Sequence, residues 1–367
     1  MGWAALSELV PYYPLYALLF LDTGLSGAQI SALFAIWSVT GFVAEVPSGA
    51  LADRWSRRGV VVLASLLQAV AFVVWTAVPE VAAFALGFVI WGVAGALVSG
   101  ASEALVYDGL ADLGAGESYV RVNGWMTAAE LLVQVPTAFA ASALFAVGGY
   151  PLVGWASVAT CLAAAALALR FPEAPRQTDD GSLAGTLREG VREAVRIPAL
   201  RVLVLAVALI GGLDAVEEYF PVLAGQWGVA TTVVPLAVLV IALAGAAGAA
   251  LGGRADQLSG RALLMLLVAA AAGLAGAALW GRPAALAVVA VSYALYLAVL
   301  VVAEARLQER IASTHRATIT SVAGLGIELA SLLVFAAWAL GGPIAVAVLF
   351  LAVVPVVRAG LRTREPV

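Results

Sequence analysis

At 367 residues, 63% hydrophobic, 11% charged and with a mean hydropathy of +1.03, this chain lacks the composition of a soluble protein, in which about a quarter of residues are charged and under half are apolar. Its one cysteine, Cys161, and one histidine, His315, exclude an intramolecular disulfide and a His/Cys metal site. The net charge is −4, and all 19 basic residues are arginine, a usage that with abundant alanine points to a GC-rich bacterial genome.

The apolar residues fall in long uncharged runs such as Val60 to Val78 and Ala262 to Trp280. About 20 apolar residues cross a bilayer as a helix, because a helix satisfies every backbone N–H and C=O within itself. Twelve spans are predicted, which makes the chain an all-α membrane protein. Span 1 (3–22) starts without a basic leader, so no cleavable signal peptide is expected. It places Glu8, Tyr12 and Tyr16 on one stripe and carries Pro11-Tyr12-Tyr13-Pro14. Span 2 (27–52) holds Glu45, and the ten residues Gly49 to Arg58 join it to span 3 (59–78). Span 4 (82–111) holds Glu103, Tyr107 and Asp108, with Asp112 just beyond. Glu45 and Glu103 each lie about 8 residues, or about 12 Å, inside their helix ends. Span 5 (118–147) has a polar stripe of Asn123, Thr127, Glu130 and Gln134, with Glu130 near mid-membrane. Span 6 (150–171) is clean.

The polar stretch Pro172 to Arg196 separates two halves, and Thr186 to Val195 reads as an amphipathic surface helix. Span 7 (199–223) holds Asp214, Glu217 and Glu218, with Asp214 on one helical face with both acids. Its Glu218-Tyr219-Phe220-Pro221 matches the aromatic pair before proline of span 1, and helix breaking is expected there. Span 8 (229–252) is followed by Gly252 to Arg261 and span 9 (262–280). Span 10 (284–310) carries Tyr293, Tyr296, Glu304 and Glu309, span 11 (316–340) carries Glu328 near mid-membrane, and span 12 (343–361) is clean.

Arginine sets the orientation. Eighteen arginines lie in or beside the even loops, the linker and the C-terminal tail, and only Arg282 lies in an odd loop. Both termini are therefore expected in the cytoplasm of a cell inner (plasma) membrane.

The halves repeat. Gly49-Ala50-Leu51-Ala52-Asp53-Arg54-Trp55-Ser56-Arg57-Arg58 aligns with Gly252-Gly253-Arg254-Ala255-Asp256-Gln257-Leu258-Ser259-Gly260-Arg261 without a gap. Glu103-Ala104 with Asp108 parallels Glu304-Ala305 with Glu309, and Glu130-Leu131 parallels Glu328-Leu329. Three matches in order indicate a duplicated six-helix unit.

Gly49 to Arg58 resembles the signature between spans 2 and 3 of the major facilitator superfamily, with Trp55 and Ser56 where glycine is common. Span count, orientation, linker and second copy extend the resemblance over the whole chain. It implies two six-helix bundles, 1–171 and 199–367, joined by a linker at 172–198 around a central cavity. Spans 1, 4, 7 and 10 would line the cavity, spans 2, 5, 8 and 11 flank it, and the rest lie outside. The intramembrane acids follow that order, for none falls in spans 3, 6, 9 or 12. The resemblance also implies a latch. Asp53 would meet the positive end of a second-half helix, and Arg54, Arg57 and Arg58 would bridge to Asp108 or Asp112. The second copy, with Asp256 and Arg261, keeps fewer charges. Drug/proton antiporters of the superfamily carry a glycine- and proline-rich span 5, whereas this one has only Gly124 and Pro136.

No basic side chain lies deep in any span to neutralise the acids. Glu130, Glu328, Glu103, Glu45, Asp214, Glu8 and Glu304, with Gln134, are therefore the candidates for proton coupling and the substrate cavity, and Glu130 with Glu328 leads. Tyr12, Tyr16, Tyr293 and Tyr296 are the candidate cavity aromatics, suited to cationic or neutral amphiphiles. The expected function is proton-coupled export of such compounds by alternating access, and the alternative is proton-linked uptake of a neutral solute. A membrane prenyltransferase reading rests only on the D-x-x-x-D spacing of Asp108 and Asp112, without a second such motif. A non-transporting receptor is the other remote reading. The expected partners are a small molecule, protons and lipid, with no cofactor, no nucleic acid and a monomeric chain.

Overall fold

The computed structural model describes residues 1–172, 198–255, 258–310 and 316–362. The linker helix expected at 186–195 and the side chains of Asp53, Arg54 and Asp256 lie outside what it describes. Among the described residues eight helices are long and apolar enough to cross a membrane. Two of the eight are double. Tyr119–Ala168 bends at Gly149 (φ 61°, ψ −159°), and Arg316–Arg362 bends at Gly341 and Gly342 (φ 59°, ψ −149° at the latter). A positive φ is open to glycine and costly for other residues, so these bends separate spans 5 from 6 and 11 from 12. The other six long helices are spans 2 (Gly27–Arg54), 3 (Arg57–Ala77), 4 (Val81–Asp112), 8 (Val234–Ala255), 9 (Gly260–Trp280) and 10 (Ala285–Arg310). Spans 1 and 7 are broken helices and complete the twelve.

Span 1 is two short helices, Gly2–Glu8 and Tyr16–Asp22, and is not the continuous helix its hydropathy predicts. Pro11 and Pro14 remove two N–H donors and force turns between them. One freed backbone group finds its partner on another span and one within the break itself. The Tyr12 N–H donates to Ser157 Oγ of span 6 at 3.0 Å, and Glu8 O accepts the Val10 N–H at 2.8 Å. In a bilayer interior such substitutes are what make an irregular backbone tolerable. Span 7 runs as an α-helix over Pro198–Gly212, a 3₁₀ segment over Leu213–Tyr219 and a second α-helix over Phe220–Gln226.

The signature joining spans 2 and 3 is mostly helix. Span 2 runs to Arg54 and span 3 starts at Arg57, so only Trp55 and Ser56 lie between. Ser56 caps span 3 by accepting the Gly59 N–H at 2.8 Å, and the aligned Ser259 caps span 9 by accepting the Ala262 N–H at 3.2 Å. The serine shared by the two copies therefore has a local reason: each satisfies a free donor at a helix start.

Two compact units are present. One takes in Met1–Leu25, the chain from Leu33 through span 6, and Thr231–Leu236. The other takes in Ser26–Ala32 and the rest of spans 7 to 12. In the first unit, span 3 packs on span 4 and on the helix that holds spans 5 and 6. Its core is an aromatic cluster about Trp75, whose ring lies 4.8 Å from Phe88, 5.3 Å from Phe20 and 5.8 Å from Trp91. In the second unit, span 7 packs on the helix that holds spans 11 and 12, and span 9 on span 10.

Candidate functional site

In the first unit the break in span 1 ends a helix at Glu8. Its carboxyl group lies within electrostatic reach of Glu130 of span 5, Cys161 of span 6 and Tyr13. Tyr13 is held by two contacts: its hydroxyl accepts from Gln68 Nε2 at 2.7 Å, and its ring stacks on Trp91 at 5.6 Å. Glu130 is half-buried and Gln134 is exposed.

Tyr12 and Tyr16 do not form the predicted stripe with Glu8. That stripe requires an unbroken helix, and the prolines end it. Both tyrosines are buried in the aromatic cluster, at 1% and 5% exposure. Tyr12 donates its hydroxyl proton to Thr76 Oγ1 at 3.1 Å, because the Thr76 proton goes to Phe72 O at 2.6 Å.

In the second unit, the 3₁₀ segment of span 7 changes the geometry read from the sequence. A 3₁₀ turn eclipses residues three apart, so Asp214 aligns with Glu217, and Glu218 leaves that face. The Tyr293 hydroxyl of span 10 lies 3.0 Å from Asp214 Oδ1 and 3.1 Å from Glu217 Oε2. One phenol proton serves two carboxyl groups, so it bonds one at a time. Tyr293 is buried under Phe220 at 5.1 Å and beside Tyr296, whose hydroxyl donates to Ile210 O at 2.8 Å. Tyr293 and Tyr296 are both buried (7% and 1% exposed), and both line a small internal void with Val216, Phe220 and Phe350. Glu304 of span 10 has Asp214 as an electrostatic neighbour.

The remaining acids have these surroundings. Glu45 accepts from Ser99 Oγ of span 4 at 2.7 Å. Glu103 and Glu328 are exposed side chains on spans 4 and 11. Glu130 and Glu328 fall in different units, so the acids each unit brings together are Glu8 with Glu130 and Asp214 with Glu217.

At the arginine-rich end, Arg57 makes an ion pair with Asp108 and donates to Ala104 O at 3.4 Å. Arg58 donates to Phe171 O at 3.2 Å, tying span 3 to the end of span 6. Gly49 lies within the helix of span 2, Asp112 is the exposed last residue of span 4, and Arg261 is exposed in the first turn of span 9. Among the described residues no group of three or more His, Cys, Asp or Glu is placed to hold a metal ion.

Sequence reasoning missed Ser157 and Gln68. Both act across spans, and no local spacing marks them.

A family model described as Major Facilitator Superfamily matches residues 2–335. No curated protein matches the chain. Among solved structures, the chain is similar to the nucleoside transporter NupG, with a TM-score of 0.74 and 14% identity over 97% of this chain and 95% of that one. It is also similar to a bacterial homologue of the iron transporter ferroportin in an inward-facing state (TM-score 0.73, 17% identity, 98% and 95% covered). A D-xylose-proton symporter gives a TM-score of 0.69 at 16% identity, with 96% and 95% covered. At these identities the likeness is one of fold.

Proposed function

The chain belongs to the major facilitator superfamily, and on that premise we propose that it is a proton-coupled secondary transporter that exports small cationic or neutral amphiphilic compounds by alternating access. That it is a multi-pass membrane transporter and not an enzyme follows from the family and the fold. Coupling, direction and substrate class are the proposal.

One observation carries it. In the second unit one hydroxyl, that of Tyr293, joins two carboxyl groups, Asp214 and Glu217, and in the first unit Glu8 lies within electrostatic reach of Glu130. Like charges at such sites repel, and a bound proton or a bound cation relieves the repulsion. A group that exchanges a proton for a cation is what an antiporter requires. The Tyr293 hydroxyl, shared between Asp214 and Glu217, is the donor left to change partner when one of them binds something else. The arginine asymmetry supports an orientation with both termini in the cytoplasm. The Arg57–Asp108 pair fits a latch between spans 3 and 4 that acts with the rest of the Gly49 to Arg58 signature.

The test is a proteoliposome screen of cationic drugs, sugars and amino acids with and without an imposed pH gradient. Gradient-driven uptake of an organic cation against an outward proton flux supports the proposal. Flux of a sugar or amino acid with the proton makes the chain a symporter, and flux indifferent to pH makes it a uniporter.

A further inference from the structure

A second site lies at the opposite end of the first unit from the signature loop. A cavity of about 290 Å³ opens there between spans 1, 3 and 6. Its polar wall is Asp22 and Thr23 at the end of span 1, Thr76 of span 3 and Tyr150 at the start of span 6, with Tyr12 deeper in. Leu19, Trp75, Pro79 and Pro151 make the rest. The size is at the lower end for pockets that hold small molecules.

The donors of this wall are all spent. Tyr150 donates its hydroxyl proton to Asp22 Oδ2 at 2.6 Å. Thr23 donates to Phe20 O and Leu19 O at 2.9 and 3.0 Å, and its backbone N–H also bonds Leu19 O. The Thr76 proton goes to Phe72 O and the Tyr12 proton to Thr76. The Trp75 N–H goes to Phe84 O at 3.1 Å. Pro79 and Pro151 have no N–H to give. What remains for a ligand is acceptor lone pairs, one carboxylate charge on the exposed Asp22, and aromatic rings. Among the described residues no arginine, lysine or histidine lines the cavity.

We propose that this cavity binds a primary ammonium group. Such a group brings three donors and one positive charge to a wall that offers only acceptors and one negative charge, and aromatic walls favour a cation further. Anions and acceptor-only ligands have no partner there. With the termini in the cytoplasm, the cavity faces the outer side of the membrane, where the ammonium comes either from a phosphatidylethanolamine headgroup or from a free amine. The site shares no residue with the paired acids of the transport proposal.

The experiment uses the full chain in nanodiscs. In one arm, phosphatidylcholine discs with a minor share of phosphatidylethanolamine are read by native mass spectrometry for retained lipid. In the other, phenethylamine is titrated by calorimetry into pure phosphatidylcholine discs. The inference expects one retained phosphatidylethanolamine, or one bound amine, per chain, and the arm that responds names the source. Asp22→Asn should weaken binding at least tenfold. Tyr150→Phe, which frees Asp22 from its donor and leaves the charge, should keep binding at wild-type strength or better. The inference is overturned if neither ligand binds the wild type, if Asp22→Asn binds as well as wild type, or if an anionic lipid is retained instead.

Discussion

Ser157→Ala is predicted to destabilise the transporter through a backbone group 145 residues away. Ser157 Oγ is the acceptor for the Tyr12 N–H, at 3.0 Å, and the serine itself is fully buried. Alanine removes two hydrogen bonds, the serine's own to Val153 O at 2.8 Å and the one it accepts from Tyr12, and leaves a buried donor without a partner, a loss of about 1–3 kcal/mol. For a folding unit of roughly 150–250 residues each kcal/mol moves the melting temperature by about 2–4 °C. Ser65→Ala is the matched control. Ser65 is equally buried, but its hydroxyl bonds only Val61 O of its own helix, so no donor is stranded and the change should stay within about 0.5 kcal/mol of neutral. The assay is thermal unfolding of the detergent-purified protein followed by size-exclusion fluorescence. If Ser157→Ala melts with Ser65→Ala, the break in span 1 is not held by span 6 and the reasoning fails.

Gly248→Ala should cost about 1–3 kcal/mol, because a Cβ there would run into the backbone carbonyl of Ala294 on span 10. Gly276→Ala, where a Cβ meets open space, should be neutral or stabilising by up to about 1 kcal/mol, and the same melts compare the two. Arg57→Ala and Asp108→Ala should each change stability by no more than about 1 kcal/mol, since both partners are partly exposed. In transport, though, the double variant should be no slower than either single one; additive losses would show that the two side chains act separately. Tyr293→Phe keeps the packing with Phe220 and removes the hydroxyl shared by Asp214 and Glu217. It should lower coupled flux by tenfold or more with the melting temperature little changed, whereas an unaltered flux would reduce Tyr293 to a packing residue.

The twelve spans were legible because the constraint behind them is local: each run must satisfy its own backbone in hydrocarbon. The bends at Gly149 and Gly342 fall in the gaps expected at 147–150 and 340–343, where paired glycines are followed closely by Pro151 and Pro343. The aromatic pair before proline in spans 1 and 7 also announced helix breaking there. The consequences of the breaks were not legible. Ser157 stands far along the chain from the group it satisfies, and the 3₁₀ turn that brings Asp214 and Glu217 to one hydroxyl has no local signature. The Gly49 to Arg58 signature reads as a loop because it is polar, yet most of it lies in the two helices it joins; only Ser56, a good N-cap three residues before Gly59, hints at the start of span 3. Tyr12, Tyr16, Tyr293 and Tyr296 were recognisable as inward residues, but sequence does not show that Tyr12 both packs on Trp75 and lines the cavity beside Tyr150.

The central claim is that the paired acids couple transport to protons. Its most direct test is flux of a transported cation into proteoliposomes under an imposed pH gradient, comparing wild type with Glu8→Gln, Glu130→Gln and Asp214→Asn, each also measured as exchange without a gradient. The account predicts that at least one variant in each unit loses gradient-driven accumulation while keeping substrate exchange. Full gradient-driven accumulation in all three variants would contradict it.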